Sequence, residues 1–441
     1  MDLVKTTLQI SLVVSVGLSL GLIHMLGLFP AVGVILFLAA WVIIAFLNQC
    51  YHWLVLVGIL LLSCVFMEPS PSDMILSAII PLGLITGVYK PQINGKALFA
   101  ILIFLSYFIA CIPGIAFTFN QISAFRYFLI TIYLYLTALF IGTYTSNHNI
   151  KSILRAYILA AFISFLAGLT GYLGLFTDLL MADAFRVKGL FKDPNVFGPF
   201  FVPAIIIILD DMNRKIILKT HPFVHGALIT LLSLGVIFSY SRAAWINLVV
   251  TLFLYLFLNF KTFHFVQKIR LLICIFILFV IIVVLFLSPF MSDNGITDFL
   301  QERAKLQNYD NDRFNAHHGG LELINENPFG FGPGQFENEI VQIIDFKIDA
   351  HSLYIRTAVE NGILGFLLFF GGIAYVILGL LSAHYGIHNE QKEILPPSII
   401  ISIIGGLLVN SLVVDTIHWR HFWFFIGLGL YCLKEIREEL N

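Results

Sequence analysis

Residues 96–118 read KALFAILIFLSYFIACIPGIAFT, and the one charged side chain in this stretch, Lys96, lies at its edge. A helix needs about 20 consecutive apolar residues to cross the hydrocarbon core of a bilayer. The stretch therefore predicts a membrane-spanning helix.

Comparable runs recur along the chain and predict an all-α polytopic membrane protein with about 12–14 transmembrane helices. The predicted spans lie near residues 3–27, 30–47, 52–67, 73–88, 96–118, 122–144, 151–176, 194–210, 222–239, 243–259, 270–290, 362–384, 397–415 and 419–434. Between the predicted spans at 270–290 and 362–384, residues 291–350 form the one long hydrophilic segment. We interpret 1–441 as a single membrane domain and 291–350 as its long loop.

Composition agrees with this class, because 59% of the residues are hydrophobic and only 12% are charged. The mean hydropathy of +0.93 lies far outside the range of soluble proteins. The five cysteines stand singly in apolar runs, so we expect small buried side chains rather than disulfides or a zinc site. Nothing in the composition suggests a nucleic-acid partner.

Orientation follows from lysine and arginine, which are retained on the cytoplasmic side of short loops. Alternate loops carry such residues: Lys90 and Lys96; Lys151 and Arg155; Arg214, Lys215 and Lys219; Lys261, Lys268 and Arg270; Lys434 and Arg437. This pattern predicts cytoplasmic termini and an extracytoplasmic 291–350 segment. Three short outer elements break the rule: the loop with Arg186, the turn at Arg242, and the turn 415–420. Binding of an anion at the outer face would explain why these cations are there.

The segment RVKGLFKDPNVFGPF, residues 186–200, has the composition of an anion site. Pro194 fits the first turn of a helix and Asp193 can cap it, so free N–H groups would face outward beside Arg186. Lys188 and Lys192 add positive charge. The alternative is a capped helix start whose cations reach for lipid headgroups.

Two further residues suit chemistry on a phosphate-bearing substrate. Arg242, in the span-end segment SYSRAAW at 239–245, is placed for bidentate contact with a phosphate, although a lone interfacial arginine can also be an anchor. His351 follows the long loop where the chain re-enters the membrane, and a neutral imidazole there could take a proton from an alcohol. It could equally be an interfacial polar residue.

Other motifs predict less chemistry. We expect His317 and His318 on a loop surface. Residues 310–313, DNDR, resemble a metal motif of enzymes that use nucleotide sugars, but these sugars are not supplied outside the cell, so we predict no metal site. The Gly/Pro-rich bend at 327–334 is interpreted as architecture, because no P-loop lysine follows it.

Together, four ordered segments resemble the O-antigen ligase and O-antigen polymerase family of bacterial membrane proteins. They are residues 186–200, residues 239–245, the run DRF…NPFGFGPGQF at 312–336, and AHSLYIRTAVENGILG at 350–365. The resemblance covers the C-terminal half, and the first 180 residues match only as generic spans. It implies a metal-independent glycosyltransferase without a cofactor, in the bacterial inner (cytoplasmic) membrane, with its active site on the extracytoplasmic face.

Carried over by residue, the resemblance implies that Arg186 and Arg242 hold the diphosphate of an undecaprenyl-diphosphate-linked glycan donor. His351 would be the base that deprotonates the acceptor hydroxyl, with inversion at the sugar. The active-site segments would then be 186–200, 239–245 and 350–365. One departure is Ser352, where many relatives have Asn. Further candidates for substrate binding are Lys188, Lys192, Asn195, Arg313 and Arg420.

Several readings of the function stay open. The acceptor could be lipid A-core, as for a ligase, or a second lipid-linked glycan, as for a polymerase. A protein O-oligosaccharyltransferase is less favoured, because such relatives often carry a further C-terminal region. A lipid-linked oligosaccharide flippase or other transporter should place charges at mid-membrane and show repeated halves, whereas these cations gather at one face.

Overall fold

The described part of the chain is helical, and a computed structural model describes residues 49–261, 263, 308–386 and 394–435. Within these ranges no β-strand forms, and one isolated bridge joins Met181 and Val187. The described helices are α1 Tyr51–Leu60, α2 Pro71–Thr86, α3 Gly95–Phe117, α4 Gln121–Tyr144, α5 Ile150–Tyr172, α6 Thr177–Leu180, α7 Pro194–Arg214, α8 Pro222–Phe238, α9 Arg242–Asn259, α10 Asn308–Glu326, α11 Phe336–Glu339, α12 Val341–Ile344, α13 Leu353–Gly386, α14 Pro397–Asn410 and α15 Arg420–Glu435.

Six of the described helices are long and apolar enough to cross a membrane, namely α3, α4, α5, α7, α9 and α13. Four shorter apolar helices, α1 with its following turn, α2, α8 and α14, accompany them. The expectation of an all-α polytopic membrane protein is confirmed. The spans expected at 3–27, 30–47 and 270–290 lie outside the described residues, so the total of about 12–14 stays a prediction.

Polar caps begin the two helices that carry the predicted outer arginines and their neighbours. Asp193 accepts a hydrogen bond from the Asn195 N–H at 2.7 Å, and Pro194 is the first residue of α7. Ser241 caps α9 in the same way, and Arg242 is the first residue of that helix. Both helix starts are as the sequence predicts.

Helix α7 packs against α8 and α9. Most of α7 is buried, since 89% of the residues in its most apolar stretch lie inside the protein. At its far end, Asp211 accepts hydrogen bonds from the N–H groups of Ile216 and Ile217 at 2.7 and 2.6 Å, and His225 Nε2 lies 2.9 Å from the same carboxylate. Because α7 is fixed along its length, the residues at its beginning are held firmly.

The hydrophilic segment is less irregular than the sequence suggests. Residues 308–326 form α10, and two single-turn helices, α11 and α12, follow before residue 345. Helix α10 packs against α13. The hydrophilic composition hides this helix because only one side of it is buried; Ala316 and Leu323 are among its buried residues. Residues 291–307 of the segment lie outside the described part.

The Gly/Pro-rich bend pairs with a break in α13. Gly332, at φ +104°, donates its N–H to the Glu360 carbonyl at 2.8 Å, and the Glu360 carboxylate accepts from the Gly334 N–H at 2.7 Å. Gly362 interrupts α13 at φ 70°, where a Cβ would lie 2.5 Å from the Phe329 backbone. The span expected to begin at 362 therefore begins at Leu353, and the bend serves architecture, as predicted.

Candidate active site

Arg186 is held by a tight turn in front of α7. Asp183 accepts hydrogen bonds from the N–H groups of Phe185 and Arg186, and the Arg186 carbonyl accepts from the Ala182 N–H at 2.8 Å. The Arg186 side chain then crosses to the turn between α8 and α9, where its Nε donates to the Ser239 carbonyl at 3.3 Å. The guanidinium therefore lies where two helix ends meet.

Asn195 connects these two helix ends. Its Oδ1 accepts hydrogen bonds from Arg186 Nη2 at 3.2 Å and from the Ser241 hydroxyl at 2.8 Å. Tyr240, immediately before Ser241, has a positive φ of 46°, a left-handed conformation that turns the chain from α8 into α9. The first turn of α7 and the first turn of α9 are thus joined through one amide.

Arg242 reaches from α9 to the hydrophilic segment. Its Nη2 donates to both carboxylate oxygens of Asp310 on α10, at 2.7 and 2.8 Å. The Asp310 side chain is 8% exposed and that of Arg242 is 34% exposed. The metal-like DNDR motif therefore contributes its first aspartate to an ion pair with an arginine.

A cavity of about 520 Å³ opens where these elements meet. Three arginines line it, Arg186, Arg242 and Arg313, so its polar side carries an excess of positive charge even with Asp310 present. Its other lining residues are Asn195, Tyr240, Ser241, Ala243, Ile246, Asp310, Phe314, His317, Val413 and Val414. Such a surface, polar and cationic on one side and apolar on the other, suits an amphiphilic anion.

Helix α10 carries two adjacent histidines, His317 and His318, and only the first lines the cavity. His317 is on α10 and lines the cavity, so the expectation of a surface loop position is wrong for this residue; the helix turns it inward. His318, the next residue, is 79% exposed, and its Nδ1 lies 3.1 Å from Glu322. His317 hydrogen bonds with the backbone of Ala350 and His351, which brings the predicted base next to the cavity.

The surroundings of His317 and His351 favour the neutral form of both imidazoles. Burial, and next the Arg313 guanidinium, lower the pKa of His351 below its usual value. Burial lowers the pKa of His317 by more than its backbone hydrogen bonds raise it. His351 also has a positive φ of 46°. A neutral imidazole on a constrained turn has the form that a general base requires.

Arg356, which the sequence analysis did not single out, holds the turn that carries His351. Its guanidinium pairs with Asp349, lies 3.0 Å from Asp415 and 3.6 Å from Glu360, and donates to the Tyr127 hydroxyl at 2.8 Å. Burial alone would raise the pKa of Asp349, but Arg356 outweighs it and the pKa is lowered. The sequence did contain a signal for this role: Arg356 stands four residues before Glu360 at the start of an otherwise apolar span.

Ser352 begins the helix behind His351. Its hydroxyl accepts from the Ile355 N–H at 3.5 Å, and the side chain is buried. The serine that departs from the family pattern therefore supports the first turn of α13.

Three of the predicted substrate-binding residues do not line the cavity. Lys192 forms a solvent-exposed ion pair with Glu68 at 3.1 Å. Lys188 is half-buried in the turn before α7, where its N–H donates to the Leu180 carbonyl at 3.0 Å. Arg420, at the start of α15, donates to the Asp73 carboxylate at 2.6 to 3.1 Å. Their positions do not support a direct contact with the anion.

Comparison with known families agrees with this geometry. A family model described as O-antigen ligase matches residues 227–370. This stretch is similar to the O-antigen ligase family. It includes the Arg242 turn, α10, the Gly/Pro-rich bend and His351, whereas the Arg186 segment precedes it. The family resemblance expected from the sequence is confirmed over these residues, and the family implies a ligase- or polymerase-type glycosyltransferase activity. No curated protein matches the chain.

Proposed function

We propose that the protein transfers a glycan from an undecaprenyl-diphosphate donor to an acceptor hydroxyl at the extracytoplasmic face of the bacterial inner membrane. The acceptor is either lipid A-core or a second lipid-linked glycan. The observation that carries the proposal is the meeting of Arg186, Arg242 and Arg313 at one cavity beside the His351 turn. The similarity to the O-antigen ligase family supports the same class of reaction.

The arginines would hold the diphosphate and stabilise it as it leaves. Undecaprenyl diphosphate departs with the electron pair of the bond to the anomeric carbon, so negative charge grows on its phosphate oxygens. Fixed guanidinium groups in a partly dry cavity stabilise that charge without reorganising. Arg186 is restrained by Ser239 and Asn195, which gives it such a fixed position.

His351 would act on the opposite side of the sugar. It takes the proton of the acceptor hydroxyl while the acceptor oxygen forms its bond to the anomeric carbon. Bond formation and departure in one displacement invert the configuration. No step of this mechanism needs a metal or a cofactor, and the lysines Lys188 and Lys192 would contribute only to attraction of the anionic donor.

The test is transfer by the purified protein in EDTA, with undecaprenyl-diphosphate oligosaccharide as donor and either lipid A-core or a lipid-linked repeat as acceptor. Arg186→Ala and Arg242→Ala should each reduce kcat by about 10²–10³, as removal of a charge-stabilising donor does. His351→Ala should reduce it by about 10²–10⁴. The control is Lys347→Ala, an exposed cation of the same outer segment that does not line the cavity.

The products separate the remaining alternatives. A lipid-linked ladder indicates a polymerase, and glycan joined to lipid A-core indicates a ligase. Transfer to a serine or threonine peptide instead would indicate a protein O-oligosaccharyltransferase. No product with any acceptor, together with passage of the donor across the bilayer of reconstituted vesicles, would contradict the proposal and favour a transporter.

A further inference from the structure

Phe314 is an exposed aromatic residue on a helix that is otherwise largely hydrophilic. It lies in α10 between Arg313 and Asn315, and it is 56% exposed. The buried side of the same helix carries Ala316 and Leu323 instead. Packing of α10 against its neighbours therefore does not account for a phenyl ring at this position.

The ring belongs to the face of α10 that lines the cavity. Positions i, i+3, i+4 and i+7 share one side of a helix, and the cavity-lining residues of α10 have this spacing: Asp310, Arg313, Phe314 and His317. Phe314 is the one apolar residue that the described α10 contributes to the cavity. Because the ring is exposed there, a ligand in the cavity can contact it directly.

The apolar part of the cavity wall comes from two kinds of element. Ala243 and Ile246 belong to α9, which is long and apolar enough to cross a membrane, and Val413 and Val414 follow α14. Helix α10 is not among the described helices that can cross. The polyprenyl chain of a donor stays in the hydrocarbon of the bilayer, so α9 is suited to contact it. Phe314 is suited to contact the part of the substrate that lies outside the hydrocarbon.

A phenyl ring favours a sugar over a phosphate as its neighbour. The face of an aromatic ring carries negative potential and attracts positively polarised C–H groups. A pyranose ring can present such C–H groups on one face, because most of its hydroxyls stand at its edge. The same phenyl face repels an ionised diphosphate, which is attracted to the guanidinium groups of Arg186 and Arg242 instead.

Phe314 also lies close to an arginine that would hold the diphosphate. Side chains four residues apart on a helix are neighbours, with about 5–6 Å between their Cβ atoms. Asp310, one turn before Phe314, accepts a hydrogen bond from Arg242 at 2.7 Å. The first sugar of the donor is bonded directly to the diphosphate, so a diphosphate at Arg242 would bring that sugar beside the phenyl ring.

We propose that Phe314 forms a sugar subsite of the cavity, in which a C–H face of the first sugar of the donor stacks on the phenyl ring. The inference rests on the proposed function and names a residue that binds the sugar. Stacking takes the apolar face of the sugar out of water and leaves its hydroxyls to the polar residues of the cavity.

The test compares Phe314→Leu, which keeps an apolar side chain without an aromatic face, with Phe314→Trp, which keeps an aromatic face. Phe329→Leu is the matched control, because Phe329 is an aromatic residue of the same hydrophilic segment, is 85% exposed and does not line the cavity. Binding to the full-length protein in detergent is measured by ligand-induced thermal stabilisation. The two ligands are undecaprenyl-diphosphate oligosaccharide and undecaprenyl diphosphate that has no sugar.

Phe314→Leu should weaken binding of the oligosaccharide-bearing donor about threefold to tenfold, the range of one aromatic contact. Binding of undecaprenyl diphosphate without sugar should stay within about twofold of wild type. Phe314→Trp and Phe329→Leu should bind both lipids as the wild type does. Because Phe314 is exposed, the thermal midpoint without ligand should be the same in all four proteins.

Three results would overturn the inference. Unchanged binding of both lipids in Phe314→Leu would show that no sugar stacks on this ring. Equal weakening of both lipids would assign Phe314 to the polyprenyl chain or to the diphosphate. Equal weakening of the oligosaccharide-bearing donor in Phe314→Trp and Phe314→Leu would show that the aromatic face is not what binds the sugar.

The same experiment separates this inference from the function on which it rests. If the wild-type protein neither binds the donor nor transfers glycan, the proposed function fails and the inference fails with it. If the wild type transfers glycan and Phe314→Leu binds both lipids as the wild type does, the inference alone fails.

Discussion

At the scale of single residues, Asp310 would compete with the donor for Arg242 if that arginine holds the diphosphate as proposed. Its two carboxylate oxygens lie 2.7 and 2.8 Å from Arg242 Nη2, where they occupy the side of the guanidinium that a phosphate would use. Arg242 is partly exposed in this ion pair, and pairs open to solvent are worth up to about 1 kcal/mol. Binding of the proposed donor would have to overcome that amount.

Asp310→Asn should therefore bind the donor more tightly, with a KM about threefold to fivefold lower and kcat little changed. Steady-state kinetics with varied donor measures this. Asp312→Asn is the control, because it removes the same charge two residues away and does not line the cavity. A higher donor KM in Asp310→Asn alone would mean that Asp310 positions Arg242 rather than competing for it.

The second residue-scale prediction concerns pH. Because burial and Arg313 lower the pKa of His351 below 6.5, the base stays unprotonated to lower pH than an ordinary histidine. Asp349 opposes this shift, and Arg356 and His317 favour it. The acid limb of kcat/KM, which reports the free enzyme, should therefore lie below pH 6.5.

Arg313→Gln should move that limb toward higher pH, since it removes a cation that disfavours protonation of His351. Lys347→Gln should leave the limb in place. Measurement of kcat/KM from pH 4 upward tests this prediction. The usual pKa values of a carboxylic acid and of histidine differ by about two units, so the position of the limb distinguishes the two types of group. Disappearance of the limb in His317→Gln would assign it to His317 instead.

At the scale of helices, the sequence predicted which ends approach each other better than which side chains meet. Caps and prolines located the starts of α7 and α9, because these are local signals. The apolar composition of the spans located the membrane helices for the same reason. The surface-loop prediction for His317 was wrong and the pairing of Asp310 with Arg242 was missed, because both depend on how α10 packs against distant helices, and a hydrophilic sequence does not show that.

Arg420 illustrates the same limit. Its cationic turn at the outer face suggested anion binding, but Asp73, 347 residues earlier, is the group that it contacts. Asp73 also caps α2 by accepting from the Ser70 N–H at 2.8 Å. The pair therefore joins α2 to α15, and no local pattern in the sequence indicates a contact at such separation.

We expect Arg420→Ala to destabilise the protein by about 3 kcal/mol, because it leaves a largely buried carboxylate without its partner. The thermal midpoint in detergent should fall, while the donor KM of the folded fraction stays near wild type. The double variant Asp73→Asn with Arg420→Ala should regain part of the loss, since the unpaired charge is gone. A rise in donor KM without a fall in the midpoint would restore Arg420 as a substrate-binding residue.

At the scale of the whole molecule, the cavity lies at one end of the helix bundle and a group of lysines lies at the other. Helices α7 and α9 begin at the cavity, and the chain beyond their far ends carries Lys215, Lys219 and Lys261. The loop before α5, with His148, lies at that same far end, because Arg155 near the start of α5 donates to the Ile217 carbonyl at 2.7 Å just after α7. Cations retained in this way predict that the far end is cytoplasmic and the cavity extracytoplasmic.

Labelling with a membrane-impermeant maleimide tests this orientation. The five native cysteines are first replaced by serine, and Lys347→Cys or His148→Cys then places one exposed thiol at either end of the bundle. In spheroplasts, Lys347→Cys should be labelled and His148→Cys should be labelled only after permeabilisation, with a cytosolic thiol protein as the control for leakage. The reverse pattern would put the cavity in the cytoplasm. The lysine-rich loops would then violate the charge rule, and the arginines would face a compartment in which the proposed outer-face acceptor does not occur.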